Sequence, residues 1–569
     1  MFLKEEKLFK LFFVAGFFLF LSVQTAGAQS NEASFYIERD FDVSGRSKIE
    51  AVQVKESSIL HFYIEKSWWE SQSHAKKDEL LKSLDDLSVE FQNKIYPTLT
   101  SIFGYERNPG IDGDSKITIL FHPVKGVEVG YVRTSDGYEK IQITTSNERE
   151  MVYISAYSLT TPKLKAILAH ELVHLITFNQ KNINYNIEED TWLNEARTEF
   201  ASRILGYDDM SDVSELHSRI KDFIESPSDS ITEWRGLKYD YASVSLFIHY
   251  LVDHYGVKIL SDSLKSRYVG IESINYALEK NGYNERFSDI FTNWTISLIL
   301  NDCSLGDKYC YLYKDLKSIR LAPNINFLPV SGNASLSVIH STKNWAGNWQ
   351  KFIGGNGDLK LDFFTYSDVK FVVPYVLENK EGNYSLKFLN IGTNRRGVVN
   401  IPDFKENYKS LIIIPSLQEK FSDFTEQDVT QSYNYSVSVG SGNEDSNQSL
   451  IQQLLEQIES LKKQIAELRA KIGNNNPVVG CSSLNINISF GMTNNNEVRC
   501  LQNFLKAQGQ EIYPEGLITG YFGSLTHKAV IRFQEKYASE ILTPLGLSKG
   551  TGYVGPLTRI KVNQILSGS

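Results

Sequence analysis

Apolar residues change their spacing several times along the chain, and each change predicts a different architecture. Leu60, Phe62 and Ile64 recur at every second position, the period of a strand. Leu84, Leu87 and Phe91 then recur three and four apart, the period of a helix. Ile117, Ile119 and Phe121 restore the strand period after Asp112-Gly113-Asp114, which reads as a turn. A calcium loop is the sharper alternative there, but its remaining acidic positions and terminal Glu are missing. MVYISAY (151–157) predicts another strand. From 162 to about 320 the pattern is mostly helical, with Thr161 expected as an N-cap and Pro162 at the first helical position. YDYASVSLFIHYLVDHYG predicts a long helix ending at Gly256.

Beyond about 325 the strand period returns. Leu359, Leu361 and Phe363 share one face, as do Tyr433, Tyr435, Val437 and Val439. LIIIP reads as a short buried strand. Short strands between Asn and Gly turns predict a β-sandwich of about 110 residues. The polar stretch GSGNEDSNQS (440–449) is a linker. In the helix that follows, Ile451, Ile458, Ile465 and Ile472 hold one heptad position and Leu454, Leu461 and Leu468 the other. Ile at a with Leu at d favours a parallel dimer, and a lone helical spacer is the alternative. GNNNP (473–477) breaks that helix. The last segment repeats itself: GYFGSLTHKAV (520–530) matches GYVGPLTRIKV (552–562). Each copy reads as a Gly turn followed by a Thr-capped helix, with Thr526 and Thr558 as the expected caps. With EVRCLQNFL ahead of both, this predicts a small three-helix domain.

At 569 residues the chain has room for three or four domains at roughly 100–200 residues each. It is 41% hydrophobic and 22% charged, as globular proteins are, and its net charge of -9 argues against nucleic acid as the main partner. Lys4, Lys7 and Lys10, the apolar run Leu11 to Val23, and Ala26-Gly27-Ala28 before Gln29 predict a secretory signal peptide over 1–28. An uncleaved anchor helix is the alternative. Cys303, Cys310, Cys481 and Cys500 form two local pairs, and export favours two disulfides over four thiols or a zinc cluster.

The chemistry concentrates in LAHELVH (168–174). On a helix His170 and His174 share a face and can present two imidazole nitrogens to one metal ion. Glu171 stands one step round, where its carboxylate could take a proton from a zinc-activated water. The competing reading is two histidines in a helical core with a stray glutamate. WLNEARTEF (192–200) decides between them. A catalytic zinc needs a third protein ligand, and Glu195 can supply it. Glu199 lies four residues further along the same face of a helix that is otherwise apolar. Two such carboxylates are costly to bury unless paired or liganded, so Glu195 is expected as ligand and Glu199 as the group orienting His170.

HELVH followed by NEARTE resembles the gluzincin metallopeptidases, the thermolysin-like clan. IDGDSKITIL, GYV and YASVSLFIHYL further resemble its hyicolysin-like members, over about residues 50 to 260. The resemblance implies a twisted sheet whose edge strand binds peptide, above a helical lobe. It also implies one catalytic zinc held by His170, His174 and Glu195, with Glu171 as general base. Tyr241 occupies a position resembling the clan's oxyanion-stabilising tyrosine, with Tyr239 and Tyr185 as rivals. His249 and His254 are expected to be structural. CLQNFL, GYFGSLTHKAVIRFQ and GYVGPLT resemble a three-helix peptidoglycan-binding domain over about 481 to 567. That likeness implies binding to cell-wall glycan or stem peptide.

The expected architecture is multidomain α+β. It comprises an N-terminal region (29–105, part of the catalytic unit or a pro-segment), a gluzincin-like domain (106–322), a β-sandwich (323–439), a linker with a short coiled-coil helix (440–477) and a wall-binding domain (478–569). The expected function is that of a secreted zinc endopeptidase acting on proteins or peptides, tethered to peptidoglycan, with a possible parallel homodimer through 451–472. The alternatives are a peptidoglycan peptide hydrolase and a non-catalytic wall-bound adhesin or scaffold.

Overall fold

The computed structural model describes residues 31–126, 129–208, 214–419, 430–440, 483–489, 492, 496–514 and 516–567. The segments expected as signal peptide and coiled coil lie outside the described residues, as does Cys481. The protein is a multidomain mixture of helices and several sheets.

The first sheet has six strands in the order β1-β2-β3-β4-β6-β5. These are β1 (Glu32–Tyr36), β2 (Lys48–Glu56), β3 (Leu60–Glu65), β4 (Ile117–His122), β5 (Gly130–Tyr131) and β6 (Met151–Ser155). The β3, β4 and β6 strands run parallel, and β5 runs antiparallel to β6 at the sheet edge. Every residue of β4 and β6 is buried, as parallel strands covered on both faces require. The crossover from β3 to β4 carries α1 (Lys66–Glu70), α2 (His74–Glu90) and α3 (Tyr96–Phe103). Residues 31–65 thus supply three of the six strands, which makes the N-terminal region part of the sheet that carries the site.

The helical lobe follows: α4 (Leu164–Thr177), α5 (Thr191–Ile204), α6 (Glu215–Glu225), α7 (Lys238–Tyr255), α8 (Lys258–Leu264), α9 (Gly270–Lys280) and α10 (Phe287–Leu300). The expected cap of α4 is corrected. The Thr161 amide and hydroxyl both donate to Ser158 O (2.9 and 3.0 Å), closing the preceding turn, and the helix starts at Leu164. Gly256 ends α7 as expected, at φ +82°, a conformation that costs glycine little. Cys303 and Cys310 form a disulfide just after α10.

Two further sheets, of four and five strands, pack face to face between residues 324 and 439. Leu359, Leu361, Phe363, Tyr433, Tyr435 and Val437 form their shared core with Phe352, Leu377 and Leu411. This unit is joined to the helical lobe by a continuous apolar core. Trp345 packs on Phe287 and Phe291 with ring centroids 4.9 and 5.4 Å apart, and Trp349 Nε1 donates to Thr295 O (2.9 Å). The C-terminal unit has its own core, built on helices Asn496–Ala507, Ser524–Lys536 and Pro556–Ser567. Cys500 is not a free thiol. Thr526 and Thr558 are not helix caps: both lie inside their helices and accept hydrogen bonds from Gln502 and Gln534 (3.0 and 2.9 Å). Among the described residues no helix is long and apolar enough to cross a membrane.

Candidate metal centre

The α4 and α5 helices pack against each other because each buries a continuous apolar face, Leu168, Leu172 and Ile176 on one and Trp192, Leu193, Ala196 and Phe200 on the other. That packing leaves His170 and His174 of α4 opposite Glu195 of α5. Ligand-type atoms of the three residues all lie within 4.8 Å of one another. His170 Nε2 is 3.5 Å and His174 Nε2 3.7 Å from the two oxygens of Glu195. Two imidazole nitrogens and one carboxylate converging in this way are a donor set suited to Zn²⁺.

Burial disfavours the charged form of all four ionisable groups here, and their mutual charges then separate them. Burial opposes protonation of His170, but Glu195 and Glu171 outweigh it and push the imidazole up to about 9. Burial keeps His174 below its usual value. Burial would raise Glu195, yet the two imidazoles hold it below the ordinary carboxylate range. Burial pushes Glu171 up to about 8; the His170 charge opposes this only in part, and the Glu195 charge adds to it. Its Oε2 is buried without a hydrogen-bond partner. Glu171 is thus a buried, unpartnered carboxylate beside a metal-type donor set.

A cleft of about 330 Å³ opens over these groups, and Gly130, Tyr131, Thr134, Asn194 and Tyr241 also line it. The β5 strand forms one wall. A Cβ on Gly130 would stand 2.7 Å from Glu171 Oε1 and 2.8 Å from its Cγ, so only glycine lets the edge strand lie this close to Glu171. Behind the cleft, fully buried Arg197 pairs with Glu189 (2.8 Å) and bonds Ser263 Oγ (2.9 Å), fixing the start of α5.

Glu199, expected to orient His170, is gripped instead by Arg219 of α6, whose Nε and Nη2 each donate to it at 2.8 Å. Glu199 still acts on His170 through its charge. The Arg219 guanidinium also lies 4.8 Å from the centre of the Tyr241 ring, and Trp234 abuts that ring edge-on at 4.7 Å. Burial and the Glu195 and Glu199 charges raise the Tyr241 phenol, so it stays an O–H donor. Tyr239 and Tyr185 point elsewhere, donating to Glu225 and Lys265 O (both 3.0 Å). His249 bonds Ser245 O (2.7 Å) and His254 bonds Cys310 O (3.0 Å), both away from the cleft. The structure therefore brings His170, Glu171, His174, Glu195 and Tyr241 together. Arg219 and Trp234 carry no motif that would single them out in the sequence, whereas Asn194 lies in the NEARTE stretch and Gly130 in the GYV stretch.

No curated protein matches the chain. Three solved structures share local likeness. A Yersinia pseudotuberculosis-derived mitogen is 12% identical, covering 20% of this chain and 92% of its own, at a TM-score of 0.15. A pre-peptidase C-terminal domain of collagenase from Bacillus anthracis is 11% identical, covering 20% and 96%, at 0.14. The Aeromonas hydrophila PliG, a periplasmic inhibitor of g-type lysozyme, is 13% identical, covering 21% and 100%, at 0.14. Likeness this weak defines neither fold nor function. Residues 494–562 match the family described as "Putative peptidoglycan binding domain". The protein thus carries a peptidoglycan-binding domain at its C-terminus, which associates it with cell wall.

Proposed function

We propose that the protein is an exported zinc-dependent endopeptidase held at cell wall by its C-terminal domain. One observation carries this reading: His170, His174 and Glu195 converge within 4.8 Å at the floor of a cleft that also holds buried Glu171. His170 Nε2, His174 Nε2 and a Glu195 oxygen would hold the ion. Zinc bound there would supply Lewis acidity, polarising a carbonyl and acidifying water. The open edge of β5 offers backbone groups to an extended peptide, which would pair with it as an added strand. Glu171 takes a proton from the attacking water and returns it to the departing amine nitrogen. Tyr241 donates its O–H to the developing oxyanion. Arg219 fixes the Tyr241 ring and pins the Glu199 side chain beside the site.

Glu171→Gln is the decisive variant. The full-length protein should keep about one equivalent of zinc and lose peptide hydrolysis. Undiminished hydrolysis rejects the assignment. A purified protein without zinc affinity would favour an adhesin or scaffold. Digesting casein and purified wall side by side separates a protein substrate from a wall-peptide substrate.

A further inference from the structure

The edge strand β5 has two faces, and the groups described so far use only one. Gly130 faces α4, since a Cβ there would meet Glu171 and Ile167. Tyr131 faces the other way, into a small core with Phe35, Tyr63 and Tyr153. Its ring lies flat on Tyr153, with centroids 4.6 Å apart and planes 4° from parallel. Phe41 stacks on the outer side of Tyr131, 4.9 Å away at 18°. Phe41 lines the cleft, and 43% of it remains exposed.

This aromatic wall is anchored on every side. Tyr131 Oη lies 2.9 Å from His122 Nε2 and accepts from Glu38 N (3.3 Å). Asp42, next to Phe41 and wholly buried, accepts from Ser44 N (3.0 Å) and from Arg46 N, Nε and Nη2 (2.9, 3.1 and 2.9 Å). Arg46 is tied in turn to Glu65 at the end of β3 (2.8 Å). The nearby carboxylate of Glu38 is paired with Arg133 (2.9 Å), so it offers no open charge to a cation. A large ring held rigidly at a cleft wall, half in water, is a preformed apolar contact awaiting a ligand.

Side chains of an extended peptide alternate between the two faces of the sheet it joins. A peptide pairing with β5 therefore turns one set of residues toward Glu171 and the alternate set toward Phe41. We propose that Phe41, stacked on Tyr131, forms a substrate subsite for a large apolar side chain, aromatic or leucine-like, on the face of β5 away from the metal centre. This rests on the peptide lying along β5 as described above. It makes the N-terminal region, outside both zinc motifs, a determinant of specificity.

The test measures binding apart from turnover. Zinc-loaded full-length Glu171→Gln protein would be titrated calorimetrically with blocked hexapeptides that differ at single positions in Phe, Leu, Ala or Lys. Phe and Leu peptides should bind more tightly than Ala or Lys peptides at one position, or at positions two apart. Adding Phe41→Ala should weaken the Phe and Leu peptides about tenfold and the Ala peptides about twofold or less. Phe41→Leu should retain most of the preference and guards against a folding defect. No apolar preference, a preference unchanged by Phe41→Ala, a preference for Lys, or no binding overturns the subsite. Phe41-dependent binding in a wild-type protein that cleaves nothing would keep the subsite and refute the peptidase. Glu171-dependent cleavage with no Phe41 effect would do the reverse.

Discussion

The candidate metal cleft and the C-terminal repeat both bury polar side chains, but the repeat pairs its two buried glutamines through both amide atoms, whereas the cleft leaves one oxygen of Glu171 without a partner. Gln502 Oε1 accepts from Gly520 N (2.8 Å), while its Nε2 donates to Tyr521 O (2.8 Å) and Thr526 Oγ1 (3.0 Å). Gln534 repeats the pattern 32 positions later with Gly552 N, Tyr553 O and Thr558 Oγ1 (2.8, 2.8 and 2.9 Å). These glutamines staple each glycine turn to the next helix and need nothing further. Glu171, equally buried, leaves Oε2 without a partner. A buried polar group that is fully paired specifies structure, whereas one left unpaired costs stability.

The contrast can be broken most forcefully at Glu171. Glu171→Gln should lower kcat/KM on a peptide substrate by about 10³-fold or more, roughly 4 kcal/mol of barrier, without lowering Tm in metal-free protein. A fall in Tm would mean that the carboxylate is structural after all. Arg219→Met comes next, because it strands Glu199 in a buried position. Chemical denaturation should show a loss of about 3 kcal/mol, and a chelator competition should show zinc affinity about tenfold weaker. On the repeat side, Gln534→Leu leaves the Thr551 and Gly552 amides without their acceptor. Thermal unfolding should report about 2–3 kcal/mol lost from the wall module, with hydrolysis of a soluble peptide unchanged. Gly130→Ala should lower kcat by about 10–100-fold, since a 1 Å displacement of a catalytic group is enough for that. Zinc content should be unaffected.

His122 adds a pH dependence of stability to this comparison. Burial pushes His122 down to about 4, with Asp42 only partly opposing it. The unfolded chain therefore takes up this proton first as pH falls. The contribution is intact above pH 6.5 and is lost between 6.5 and about 4, at up to about 1.4 kcal/mol per pH unit. Urea unfolding at pH 7, 5.5 and 4.5 checks the slope, which His122→Asn should flatten.

The sequence was most informative where chemistry depends on local spacing. His170 and His174 face one way because four residues make about one helical turn, and the heavy apolar content of 192–204 made the two glutamates conspicuous. It misled where a residue type has several uses. Thr161, Thr526 and Thr558 all resemble N-caps in sequence, but a threonine hydroxyl can equally close a turn or accept a buried amide. The sandwich reads as a separate module in its strand pattern. Only the packing of Trp345 and Trp349 on α10 reveals that it is fused to the helical lobe.

The sequence by itself determined the His170, His174 and Glu195 cluster with its neighbour Glu171, the strand and helix periods and the wall-binding repeat, because each is written in residues a few positions to a few turns apart. Tertiary structure alone decided what surrounds them. It gave Glu199 to Arg219, placed Gly130 against Glu171, and brought Phe41 of the N-terminal region to the wall of the cleft. Those contacts join residues 20 to 90 positions apart, and a chain sets such distances only when its apolar faces pack, which no local pattern encodes.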